Sequence, residues 1–168
     1  MSSELRVDKI KPVDGIGTDT STVKYGGGII QIKQLQLTNT DVGGFFLQSG
    51  STSYTQTNTA FSLSITPKFN TSKIYVSVIT YGYLTTNDYA WTTIYRDSTN
   101  IGGSDRGMSQ YSGSSNDWNT VTMTLLDSPA TTSAITYKVY GKCSNGATYY
   151  IGGDADLTNT ITLMEVSA

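Results

Sequence analysis

Apolar and polar residues alternate along most of the chain beyond residue 28, as they do in strands with one buried face. Val121, Met123 and Leu125 alternate with threonines, and a period of two puts the two sets on opposite faces of an extended strand. A second alternating run, residues 135–139, begins after Pro129, which cannot donate to a sheet ladder. Two such strands around a short polar connection predict a hairpin or an edge-to-edge corner.

Further extended runs occur at regular spacing. The longest, residues 73–83, has Ile74, Val76 and Val78 on one face and further apolar residues on the other, which predicts a strand in the middle of a sandwich or at a subunit contact. The other predicted strands are residues 29–38, 45–47, 60–66, 89–96, 148–151 and 159–166. We therefore expect an all-β protein, an antiparallel β-sandwich resembling a jelly roll, with no helix longer than a turn.

Composition agrees with this fold class and excludes some functions. Ser, Thr, Gly, Asn and Tyr dominate, and these residues favour strands and turns over helices. Charged residues make up 14% of the chain and the net charge is −2, so nucleic-acid binding by phosphate neutralisation is not expected. No apolar run is long enough to cross a bilayer, and the first residues lack the hydrophobic core of an export signal, so we expect no membrane insertion.

Residues 1–28 differ from the rest of the chain. They are rich in lysine and glycine, and they are too short to bury their own apolar side chains. They form either a disordered tail or a stalk that becomes ordered against other subunits. The run Gly26–Gly27–Gly28 is a flexible joint, which divides the chain into an N-terminal arm, residues 1–28, and a head domain, residues 29–168.

The residues needed for common catalytic and metal sites are largely missing. The chain has no histidine, so a Ser-His-Asp triad, a Cys-His pair and histidine-based zinc sites are excluded. The glycine runs do not match a phosphate-binding loop. Asp154 and Asp156 could be calcium ligands, although a polar turn is the preferred interpretation. We expect a protein that is not an enzyme and has no cofactor or metal, and in which the single cysteine, Cys143, is an inert small residue.

Aromatic residues give the one positive indication of binding. Tyrosines and tryptophans concentrate between residues 81 and 118, beside small polar residues, and such rings make contact surfaces at low entropic cost on which sugars can stack. The alternative is that they fill the core or cover a subunit interface, and this is favoured for Trp91 and Tyr75. Residues 104–116 are predicted to be an exposed loop tip. The candidate receptor-binding residues lie on it or next to it: Tyr111, Asn116, Asp117 and Trp118.

Six segments, in order, resemble virion fibre proteins. They are LRVDKIKPVDG at 5–15, GGGIIQI at 26–32, SITPKFNTSKIYVSV at 64–78, IYRDSTNIG at 94–102, LLDSPATTSAITYKV at 125–139 and TITLMEV at 160–166. Together they are spread over most of the length of the chain, from residue 5 to residue 166, and the chain resembles the tail-fibre and related virion fibre structural proteins of marine bacteriophages of the cyanophage type. Ser98 stands where glycine is common in those proteins, and the resemblance supplies no catalytic residues.

This resemblance implies a homotrimeric β-sandwich head on an N-terminal arm that contacts other virion proteins. The expected function is adhesion to a glycan or protein of the bacterial host surface by a virion protein made in the host cytoplasm. Two alternatives stay open. The chain could be a head fibre or capsid decoration with a structural role, or it could be a carbohydrate-binding module.

Overall fold

The computed structural model describes residues 28–113, 118–145, 147–153 and 155–167, so the arm other than Gly28 lies outside it. In chain order the elements are β1 (Ile29–Leu37), α1 (Asn39–Val42), β2 (Leu47–Ser49), β3 (Thr55–Gln56), β4 (Ser62–Ile65), β5 (Lys73–Leu84), β6 (Asp88–Arg96), β7 (Thr99–Asn100), β8 (Ser109–Gly113), β9 (Asn119–Asp127), β10 (Ile135–Cys143), β11 (Tyr149–Ile151) and β12 (Asn159–Val166). Within the described ranges, no helix is both long enough and apolar enough to cross a membrane.

The strands form two antiparallel sheets packed face to face, which confirms the predicted all-β sandwich. The first sheet has the order β1-β12-β5-β11-β2 with β9 beside β5, and the second has the order β3-β10-β6-β7 with β4 beside β10 and β8 beside β6. The long strands therefore lie as β1-β12-β5-β9 and β4-β10-β6-β8. The chain passes repeatedly between the two sheets, in the double Greek-key connectivity of a jelly roll.

Strand β5 lies in the middle of the first sheet, and its predicted place at a subunit contact stays a prediction. It pairs with β12 on one side and with β9 on the other. Its inward side chains, including Ile74, Val76 and Val78, are buried. The outward positions include Tyr75 and Ile79, which are partly or largely exposed, so the second apolar face is directed away from the sandwich.

The predicted hairpin between residues 121–125 and 135–139 is wrong, and so is the alternative of an edge-to-edge corner, because β10 lies inside the second sheet and not at its edge. β9 pairs with β5 in the first sheet, whereas β10 pairs with β6, β4 and β3 in the second. Both strands are apolar on one face only. The apolar face of each strand is turned toward the interior of the sandwich, where Met123 and Tyr137 are buried in the same core cluster.

The predicted exposed loop, residues 104–116, is wrong in part. Ser109–Gly113 forms strand β8, which pairs with β6, and Tyr111 at its centre is only 7% exposed. A single apolar residue among Ser, Gln and Gly produces almost no period, so the strand is defined by its pairing partner instead. The prediction that no helix exceeds a turn is confirmed in the described part of the chain, where α1 has four residues.

Two clusters fill the sandwich. The larger cluster is mainly aliphatic but includes the aromatic side chains of Phe46 and Phe61. The smaller cluster contains Leu47, Tyr111, Cys143 and Tyr149. Cys143 is fully buried and lies within hydrogen-bonding distance of backbone carbonyls, which agrees with the inert residue expected from the sequence.

Candidate ligand-binding surface

Of the four sequence-predicted site residues, the structure describes Tyr111 and Trp118, and it places them in different clusters. The Tyr111 ring lies in the smaller core cluster, so packing is the alternative that its burial supports. Trp118 is half-buried and stacks against Phe45 and Tyr83, whose ring centroids lie 5.9 and 5.1 Å away. Asn116 and Asp117 lie outside the described residues, as does Asp154 of the calcium alternative.

A pair of aromatic rings lies instead on the outer face of the second sheet. Along β6, Ala90, Thr92 and Ile94 are buried, and the alternation of the strand therefore turns Tyr89 and Trp91 outward. The two rings are stacked, with centroids 6.2 Å apart and planes 16° from parallel. Tyr89 is 50% exposed. Of the two alternatives favoured for Trp91, filling a sandwich core is therefore wrong, whereas covering a subunit interface stays a prediction. The ring pair (Tyr89 and Trp91) lies on the outer surface of the described chain.

Neighbouring side chains hold Trp91 in place. Lys142 is its partner on β10, and the Lys142 ammonium lies 5.2 Å from the Trp91 ring centroid and 4.8 Å from that of Tyr54. This cation–π arrangement stabilises the indole against rotation. The indole Nε1–H also donates a hydrogen bond to Oε1 of Gln110 on β8 at 3.1 Å. Trp91 is therefore pre-ordered, which reduces the entropy lost when a ligand stacks on it.

Two surface pockets meet at Tyr89. The first, of about 400 Å³, is lined by Tyr89, Trp91, Arg106 and Gln110. It combines the faces of aromatic rings with an amide and a strongly exposed guanidinium. Arginine presents a planar fork of donors that fits carboxylates and pairs of oxygen atoms.

The second pocket is polar and has a volume of about 440 Å³. Its lining residues are Asn87, Asp88, Tyr89, Ser112, Gly113, Ser144 and Asn145. They come from the start of β6, the end of β8 and the segment after β10, which the pairing of β6 with both neighbours brings together. Amides and hydroxyls therefore line this pocket beside Tyr89, whereas Trp91 lines the other pocket.

Asp88 organises the polar pocket. Its carboxylate accepts hydrogen bonds from the Ser144 hydroxyl, from the backbone N–H of Tyr89 at 2.7 Å and from that of Asn145 at 3.0 Å. Burial raises the pKa of Asp88, but these hydrogen bonds outweigh burial and lower the pKa below its usual value. The carboxylate is thus ionised at neutral pH and fixes the segment after β10 against β6. Its acceptor positions are already used within the protein, so Asp88 positions the pocket.

A second aromatic cluster lies on the outer face of the first sheet. It consists of Phe45, Tyr83, Trp118 and Tyr150, with Tyr83 and Tyr150 opposite each other on β5 and β11. Its rings cover one another to a greater extent than the ring pair does, and only Phe45 is strongly exposed.

The sequence prediction missed most of the residues around the ring pair. Arg106 and Gln110 lie in the stretch assigned to a loop, and Lys142 is brought under Trp91 only by the register of β10. The one available indication was the position of Tyr89 and Trp91 at alternate residues of a predicted strand, which directs both to the same face.

No protein-family model and no curated protein sequence matches the chain. Among solved structures, the chain is similar to the VP2 subviral particle of infectious bursal disease virus, with a TM-score of 0.45 and 14% identity over 92% of this chain and 43% of that one. It is also similar to a chain of the T13 particle of the same virus, with a TM-score of 0.46 and 12% identity over 93% of this chain and 40% of that one. The chain spans less than half the length of these proteins, and likeness at this level does not establish a shared function.

Proposed function

We propose that this chain is a non-enzymatic subunit of a virion fibre or spike whose head binds a carbohydrate of the bacterial host surface. The observation that supports it is the exposed, pre-ordered ring pair between two pockets lined by polar groups. A sugar ring has apolar C–H faces and a polar edge of hydroxyls. The C–H faces of the sugar would stack on the ring of Tyr89 or Trp91, and the polar pocket residues would form hydrogen bonds with the hydroxyls at its edge.

Two further features support a place on the virion. Six sequence segments, occurring in the same order, resemble those of virion fibre proteins. The jelly roll is also a fold of viral capsid and lectin domains. The fold argument is one of analogy, because many functions share one fold. In this proposal, the arm, residues 1–28, attaches the head to other virion proteins. The assembled form is a homotrimer.

Binding to an array of bacterial capsular and lipopolysaccharide glycans tests the carbohydrate proposal. The full chain should bind a subset of these glycans, and Trp91→Ala should weaken that binding about tenfold or more, which is roughly 1.4 kcal/mol. Trp118→Ala is the matched control, because it removes an indole from the other aromatic cluster. Absence of binding by the wild-type chain, or equal loss in both variants, would contradict the proposal.

A structural role as a head fibre or capsid decoration is the second candidate, and the outer face of the first sheet favours it. That face exposes Ile32, Ile79 and Leu126, which could contact another protein surface. Antibody labelling of virions separates the two, because a tail location supports the adhesion fibre and a location over the capsid shell supports the decoration.

A further inference from the structure

The middle of the first sheet presents an outer face without charge. Twelve outward positions on four adjacent strands form a grid, which we call the central grid. Its rows, read across β1, β12, β5 and β9, are Ile32-Met164-Tyr75-Leu126, Gln34-Thr162-Ser77-Thr124 and Gln36-Thr160-Ile79-Thr122. None of the twelve residues is Asp, Glu, Lys or Arg.

The first row of the central grid is a continuous apolar stripe across four strands. Ile32 at one end is 56% exposed and Leu126 at the other is 54% exposed, with Met164 and Tyr75 between them. Ile79, two rows along, is also exposed. Burying such side chains stabilises an association by about 25 cal/mol for each Å² of apolar surface removed from water.

The outer face of the second sheet differs in composition. Lys138 and Lys142 project from β10, and Arg106 lies beside Trp91. The cores of protein interfaces are depleted in charged residues and enriched in aromatic residues and methionine. By this criterion the central grid is the interface-like face, and the second sheet is the face that remains in contact with solvent and ligands.

The size of the surface agrees with a contact between proteins. Four strands span about 15–20 Å across the sheet, and the outward positions of β5 from Tyr75 to Tyr83 extend about 27 Å along it. At the far end the face continues into the aromatic cluster of Phe45, Tyr83, Trp118 and Tyr150. The whole surface is on the order of 500 Å², so a contact between two copies would bury about 1,000 Å² in total, which is near the lower limit of specific interfaces.

We propose that the central grid is the surface through which copies of this chain associate with one another. The proposal rests on the self-association included in the proposed function, and it names where that contact lies. An uncharged grid offers no complementary charges to a charged partner, whereas the uncharged grids of other copies match it, and copies arranged around one axis could meet through this surface. The arm joins the head domain next to the first sheet, because the Ser167 N–H, just beyond β12, donates a hydrogen bond to the Gly28 carbonyl at 3.0 Å. Copies that meet through the grid would bring their arms together.

Light scattering of the full chain, combined with two charge variants, tests this surface. The wild-type protein should have a mass that is a multiple of 18.1 kDa at micromolar concentration. Thr124→Lys combined with Thr162→Lys puts two cations in the middle row of the grid, and this variant should shift to a mass of 18.1 kDa. Thr99→Lys, at an exposed strand position of the second sheet, is the matched control and should keep the wild-type mass.

The possible results distinguish a failure of the central grid as the contact surface from a failure of self-association itself. A wild-type mass of 18.1 kDa would overturn both the surface and the self-association. A wild-type oligomer that the double variant leaves intact, but that deletion of residues 1–27 dissociates, would overturn the surface alone. If circular dichroism shows that the double lysine variant is unfolded, Leu126→Gln with Ile32→Gln removes the apolar stripe without adding charge, and this variant should increase the dissociation constant at least tenfold. Glycan binding by Trp91 is measured independently of all these results.

Discussion

The hydroxyl of Tyr149 on β11 and the hydroxyl of Thr92 on β6 lie 2.8 Å apart inside the sandwich, and their hydrogen bond joins the two sheets. Both side chains are fully or almost fully buried. Burial raises the pKa of Tyr149 to about 12, although the bond to Thr92 partly opposes this shift. The tyrosine therefore remains neutral throughout the physiological range, and the pair is a small polar link within an apolar core.

Removing one partner of this link should destabilise the fold. Tyr149→Phe leaves the Thr92 hydroxyl buried without its partner, which costs about 1–3 kcal/mol in the free energy of unfolding. Tyr149→Phe combined with Thr92→Val should recover part of the loss, because neither polar group is then left alone. Urea denaturation measures all three variants, and additive effects in the double variant would contradict the link.

A buried carboxylate should make stability depend on acid pH. Glu165 on β12 is fully buried and accepts hydrogen bonds from Gln31 Nε2 at 2.5 Å and from the backbone N–H of Lys68 at 2.7 Å. Burial raises the pKa of Glu165, but the hydrogen bonds outweigh burial and hold the pKa below its usual value of 4.5. Because the pKa is lower in the folded state, the contribution of Glu165 to stability is present above the unfolded pKa. It is lost as the pH falls through the folded pKa.

Glu165→Gln should therefore lower the free energy of unfolding at pH 7 by about 2–3 kcal/mol and flatten its decline in acid. Thermal melts between pH 7 and 3 measure both effects. Asp105→Asn removes a carboxylate that is largely exposed and should change neither the stability nor its pH profile. An unchanged acid profile in Glu165→Gln would show that the buried carboxylate does not contribute as described.

The two sheets approach each other closely at Gly141. A Cβ added there would lie 2.8 Å from side-chain carbons of both Ile151 and Leu47, which are packed in the core. Gly141→Ala should therefore destabilise the protein by about 1–3 kcal/mol through overpacking. Gly28→Ala is the control, because the nearest atom to its added Cβ would be the Ser167 Oγ at 3.8 Å. Equal melting temperatures for the two variants would contradict the close approach.

Asp88 should influence ligand binding through the pocket that it organises. Asp88→Ala removes the acceptor for the backbone N–H of Asn145 and for the Ser144 hydroxyl, so the segment after β10 loses its anchor to β6. We expect glycan affinity to fall about tenfold, roughly 1.4 kcal/mol, through loss of pre-organisation. Calorimetric titration measures this loss, and unchanged affinity would show that the polar pocket takes no part in binding.

The fold was predictable from the sequence because most long strands have one apolar face. β10 and β12 alternate without error between buried and outward residues, and each was found from that period. The alternation of apolar and polar residues did not indicate which strands pair with each other. The period shows which face of residues 135–139 is buried, but it does not show which strands lie at their edges, and in the structure those neighbours are β4 and β6.

The candidate site was less predictable because its parts come from three separate segments. Sequence reasoning identified aromatic residues as the binding feature but placed them on Tyr111 and Trp118, since loops commonly carry binding residues. The short strand β8 directs Tyr111 inward, and nothing in the sequence near residue 111 indicates its partner, Ala90. Arg106 and Lys142 approach Trp91 only through the three-dimensional register.

The fluorescence of single-tryptophan variants shows whether the ring pair (Tyr89 and Trp91) binds the glycan. The chain has two tryptophans, one in the ring pair and one in the other aromatic cluster. Trp118→Phe leaves Trp91 as the only indole, and Trp91→Phe leaves Trp118. Each variant is titrated with a bacterial surface polysaccharide that the wild-type chain binds on the array. The account predicts a saturable change in emission from Trp91 and none from Trp118. A change confined to Trp118 would place the ligand on the first sheet and contradict the account.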